Sequence, residues 1–154
     1  MGLIKKIPWH LVKTTWANIR KRWFTVEPPS GDYILVDEPI EELEEIFGVA
    51  FFAPNWETSY NYRGEDLNLA RVFYDDRLHK NFPNVDSDVV WWQIHVRGWR
   101  EGNKTALNAH REAEATEHPE EHINGYGFAG HRGTEAIERF LLRRGIEYDI
   151  EERE

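Results

Sequence analysis

The chain has 154 residues, 40% of them hydrophobic, including seven Trp, six Tyr and eight Phe, enough for one domain with its own core and against disorder over most of the length. It has no Cys, which excludes a disulfide framework, a thiolate zinc site and a cysteine nucleophile. The formal charge of −9, with thirteen Arg to six Lys, argues against general nucleic-acid binding and leaves room only for a local basic site.

Residues 1–26 hold six basic residues and no acid. Pro8 opens a helix running to about Trp23, with Val12, Trp16, Ile19 and Trp23 on one stripe. Either that stripe packs on the body, or the basic helix docks on a membrane surface, nucleic acid or an acidic partner. No apolar run is long enough to span a bilayer and no secretory pattern opens the chain, so a cytoplasmic protein is expected, from either a salt-rich cytosol or an ordinary one.

Glu27 to Gly31 is a break, and Tyr33 to Val36 reads as a strand. Pro39 then opens a helix through Ile40, Leu43, Ile46 and Phe47, stopped by Gly48, with Glu41, Glu42, Glu44 and Glu45 on its solvated face. Val49 to Phe52 reads as a buried strand and Trp56 to Tyr62 as an alternating one. Arg63 to Asp66 makes a turn, and Leu67 to Tyr74 returns as a strand. Asp75 and Asp76 read as a solvated turn, since no third oxygen ligand accompanies them.

The stretch from Asp88 to Asn124 organises the rest. Two alternating runs flank Gly102-Asn103, a glycine-first pair suited to a two-residue hairpin, so facing residue numbers sum to 205. His95 then faces His110, Arg97 faces Asn108, and Gln93 faces Glu112, all on one face. The other face carries Val90, Trp92, Ile94 and Val96 against Leu107, Ala109 and Ala113, with Arg111 as the exception. Beyond the hairpin, Thr116 to Gly130 is loop-like, with a short strand at Ile123 to Phe128. Thr134 caps a last helix carrying Ala136, Ile137, Phe140 and Leu141, which Gly145 stops. Ile146 to Ile150 is a final strand, followed by an acidic tail at about 150–154. The whole is expected to be a single α+β domain, 1–154, with a largely antiparallel sheet and two or three helices packed on it.

The polar hairpin face holds the parts of metal-independent RNA cleavage. His95 and His110 divide the acid and base roles, Arg97 stabilises the developing phosphorane charge, and Glu112 stands beside them. Trp91 and Trp99 are placed to stack on bases, with Gln93 and Asn108 as further substrate contacts. This reading needs no cofactor. The bland alternative is a solvated sheet face on which two histidines happen to pair. A second constellation, His118 and His122 four residues apart, suits a metal if His110 supplies a third ligand; a polar loop is the alternative. A third reading is a non-catalytic interaction module that docks through its aromatic surfaces and basic helix.

Asn108-Ala109-His110, then Thr116-Glu117-His118-Pro119 and His122, resemble the small TumE-type toxins of prokaryotic toxin–antitoxin pairs, over about residues 106–123. The histidines here are single where those toxins have them doubled. The resemblance implies His110, His118 and His122 as functional positions and an antitoxin as protein partner.

Overall fold

The computed structural model describes residues 25–56, 59–81 and 88–154, so the helix expected over 8–23 lies outside them. Eight strands follow in chain order: β1 (Thr25–Val26), β2 (Gly31–Val36), β3 (Ala53–Pro54), β4 (Asn61–Tyr62), β5 (Leu67–Tyr74), β6 (Trp91–Glu101), β7 (Lys104–Ala113) and β8 (Tyr148–Arg153). Among the described residues the helices are α1 (Ile40–Val49), α2 (Pro119–Ile123) and α3 (Gly130–Arg143), with a 3₁₀ turn at Leu78–Asn81. Six strands form one antiparallel sheet in the order β3-β5-β6-β7-β2-β8, and β1 pairs with β4 in a small parallel ladder. The fold class is thus the expected α+β one. Among its described residues no helix is long and apolar enough to cross a membrane.

The hairpin register is the one the turn dictates. Gly102 takes φ +63 at the tip, and Gln93↔Glu112, His95↔His110 and Arg97↔Asn108 are direct pairs of the β6–β7 ladder. On the apolar face, Val96, Leu107 and Ala109 pack beneath Ile137 and Leu141 of α3 and Leu43 and Phe47 of α1. Phe47 stacks on Phe140 at 4.7 Å, and Phe52 meets both rings edge-on. Helix α3 lies against β7 so closely that a Cβ on Gly133 would sit 2.2 Å from the His110 Cα, which only glycine permits.

Several local expectations are corrected. Helix α1 runs through Gly48, and Phe51 (φ +67) takes the left-handed position that closes it, with the Phe52 N–H donating to the Phe47 carbonyl at 3.1 Å. Val49 and Phe51 are therefore exposed rather than in a buried strand. Of the strand expected over Trp56–Tyr62, β4 occupies the last two residues; Glu57 and Thr58 lie outside the described residues. Pro119 starts helix α2 where loop and strand were expected, and only Ala129 pairs with Arg111 in an isolated bridge. Helix α3 begins at Gly130, so the Thr134 hydroxyl donates back to the Gly130 carbonyl instead of capping. The acidic tail is no tail: Ile150, Glu151, Glu152 and Arg153 pair with β2 as part of β8.

Candidate functional site

Directly opposed pairs on neighbouring strands bring the polar side chains of the hairpin into one place, and β5 extends the same face with Asn68 beside Arg97 and Ala70 beside His95. Ala70 is small, which leaves the His95 ring room to reach Asn68. The face is not solvated. Gln93, His95, Arg97 and Glu112 are all buried, His95 to 1% exposure.

Arg97 is neutralised rather than free for phosphate. Its Nη1 donates to Glu65 Oε1 at 2.7 Å and to the Tyr60 carbonyl at 2.8 Å, and its guanidinium lies 4.5 Å over the Tyr62 ring. Glu65 is fully buried and also accepts from the Tyr62 N–H. Trp99 is likewise no stacking platform. It is buried against Tyr33 and Ala106, and its indole N–H donates to the Arg63 carbonyl. Trp91 keeps 38% exposure with Tyr74 edge-on beside it. Asn108 donates to the Asp32 carbonyl, and Gln93 donates to Glu112 Oε1 at 2.7 Å.

Glu112 is the hub. Its Oε1 lies 3.1 Å from His110 Nε2 and 3.3 Å from His95 Nδ1, and its Oε2 lies 3.6 Å from His122 Nδ1. Burial raises its pKa, but the hydrogen bond and charge of His110 act the other way, and the carboxyl is held below the usual range. Burial dominates at His95, lowering its pKa to about 3 despite the neighbouring carboxylate. Its ring is therefore neutral near pH 7.

The tautomer of that neutral ring follows from its partners. The Ser59 hydroxyl donates to the Asn55 carbonyl at 2.8 Å, so Ser59 accepts from Asn68 Nδ2 at 2.8 Å. This turns Asn68 Oδ1 toward His95 Nε2 at 2.7 Å, and Nε2 must carry the proton. The His95 Nδ1 lone pair then faces the Glu112 carboxylate. Two buried acceptors oppose each other at 3.3 Å.

His118 and His122 stand differently from the expectation. His118 Nε2 accepts the Val90 and Trp91 N–H groups at 3.3 and 3.2 Å, which ties α2 to the start of β6. His122 Nδ1 donates to the Ala113 carbonyl at 2.9 Å. Among the described residues, the ligand atoms that converge within 4.8 Å belong to His95, His110 and Glu112. His110 is half-buried under Phe128, their ring centroids 4.7 Å apart, and it lines a cavity of about 370 Å³ with Arg97, Asn108 and His131.

Asn68, Ser59 and Glu65 are the residues that sequence reading missed. Pairing β5 with β6 would have placed Asn68 beside Arg97, but nothing in the sequence folds Glu65 inward from its turn. Comparison with protein-family models, curated proteins and solved structures finds no match for this chain. The chemistry of the site therefore rests on its geometry.

Proposed function

We propose that the chain is a divalent-metal protein whose ion sits between His95 Nδ1, His110 Nε2 and Glu112, with an open coordination position toward the cavity that His110 lines. The observation that carries this reading is the opposed pair of acceptors, His95 Nδ1 and Glu112 Oε1 at 3.3 Å. A cation between them turns repulsion into ligation. Donor atoms of a tetrahedral zinc site, bonded at about 2.1 Å, stand about 3.4 Å apart, close to the 3.1 and 3.3 Å separations here. The outer contacts also fit: Asn68 accepts the second N–H of His95, and Gln93 donates to the carboxylate. A proton in place of the ion would charge His95 against its burial or neutralise a carboxyl whose pKa is held low.

Two imidazoles and one carboxylate suit zinc, manganese or ferrous iron, and the reaction class they support is metal-assisted hydrolysis of a small polar substrate. The cofactor-free reading, His95 and His110 exchanging protons on RNA, is supported by the 5.0 Å separation of the two rings on one face. Against it stand the burial of His95 and the neutralisation of Arg97 by Glu65.

The test strips the protein with chelator, then adds Zn²⁺ or Mn²⁺ and reads bound metal and Tm. The expected result is one equivalent per chain. At a hundredfold excess over Kd the stabilisation is about 2.7 kcal/mol, which raises Tm by roughly 5–10 °C. Glu112→Gln and His110→Ala should each lose both effects. A folded wild type that takes up less than a tenth of an equivalent would overturn the proposal.

A further inference from the structure

The opposite face of the same sheet carries a second feature. Beside α3, a groove of about 1110 Å³ runs between the helix and strands β5 to β7, lined by Arg71, Arg111, Arg132, Arg139, Arg143 and Arg144. These are six of the chain's thirteen arginines, gathered on a protein of net charge −9. No carboxylate lines the groove among the described residues. Arg132 pairs with Glu135 at 3.0 Å, whereas Arg71, Arg139, Arg143 and Arg144 have no carboxylate within ion-pair distance among the described residues. Burial lowers the pKa of the Arg111 guanidinium and the neighbouring Arg132 charge lowers it further, while Asp75 and Glu135 act the other way. Like charges are held together here, and a bound anion relieves that repulsion.

The helix explains the arrangement. Arg132, Arg139 and Arg143 fall at i, i+7 and i+11, one stripe about 16 Å long at 1.5 Å per residue. That is more length than one phosphate occupies. Phe128, 56% exposed, lies among the arginines with one side of its ring on His110, whereas Phe140 is buried between Phe47 and the Arg144 guanidinium. Planar guanidinium groups bind phosphate through paired hydrogen bonds, and aromatic faces stack on unpaired bases. The groove is open and long rather than closed around a small molecule.

We infer that the arginine groove between α3 and the sheet binds a single strand of RNA through its phosphates, with the exposed Phe128 ring as a stacking surface. The arginines lie across the sheet from the proposed metal centre, and Phe128, which packs on His110, is the ring that the two sites share. An acidic peptide matches the charge but makes no use of that ring.

Fluorescence anisotropy with a labelled twelve-uridine RNA tests it on the full chain. Binding should saturate and weaken as salt rises, with a log–log slope that shrinks by about 0.7 for each phosphate contact removed. The double variant Arg71→Glu with Arg143→Glu, both exposed positions, should bind at least tenfold more weakly. The charge-matched double variant Arg63→Glu with Arg100→Glu, away from the groove, should stay within threefold. Absence of saturable binding at low salt overturns the inference. So does equal weakening by both double variants, or competition by a twelve-residue polyglutamate as strong as that by unlabelled RNA.

Discussion

The two sides of the sheet hold their arginines in opposite ways. Arg97, on one face, is buried and fixed by Glu65, the Tyr60 carbonyl and the Tyr62 ring. Across the sheet, Arg71 and Arg143 are exposed over an open groove with no carboxylate lining it among the described residues. A buried arginine held by a buried carboxylate, a carbonyl and an aromatic ring serves structure, while a row of exposed arginines facing one cavity is organised toward an anion from outside.

The largest effect that separates the faces is expected at Glu65→Gln. It leaves the Arg97 charge buried without its counter-ion, so denaturant melts should register a loss of about 3–5 kcal/mol. A loss below about 1 kcal/mol would break the contrast.

Next comes Gly133→Ala, whose new Cβ meets the His110 backbone at 2.2 Å and must push α3 off the hairpin. Overpacking of this kind should destabilise by about 1–3 kcal/mol, and by displacing His110 it should weaken metal uptake too. Gly130→Ala, in the first turn of the same helix, meets open space and should be neutral or slightly stabilising by thermal melt.

Acid should act on the polar face through His95. Unfolded, this ring takes a proton near pH 6.5; folded, burial delays that to about pH 3. The unfolded state therefore binds more protons between these values. The metal-free protein should lose stability by about 1.4 kcal/mol per pH unit as pH falls through that window, and none from this group above it. Parallel melts of His95→Asn should show a shallower slope.

The smallest effect is expected in the groove. Arg143→Ala removes an exposed cation with no carboxylate partner among the described residues, so stability should shift by less than about 0.5 kcal/mol while RNA binding falls.

Much of this arrangement was legible in the sequence. Gly102-Asn103 fixed the register of ten residue pairs, and with it the placing of His95 beside His110 and Gln93 beside Glu112. Alternation tells which side chains share a face but not what covers that face. The cover over Arg97 comes from Tyr60, Tyr62 and Glu65, in a segment that reads as strand and solvated turn. His118 and His122 were visible as a pair, yet one turn of helix and three backbone hydrogen bonds assign them to holding α2 in place. The groove had a signal as well. Arg111 stood out as a charge on the apolar face, and Arg132, Arg139 and Arg143 keep helical spacing, but only the fold sets Arg71 opposite them.

The most direct test of the central claim is X-ray absorption at the zinc edge of protein reconstituted with one equivalent of Zn²⁺. The expected shell is two imidazole nitrogens and one carboxylate oxygen at about 2.0–2.2 Å, with a light atom from solvent completing it. Glu112→Gln should lose the stoichiometric ion. A shell of three or more imidazoles, or an unchanged spectrum in the His95→Asn variant, would contradict it.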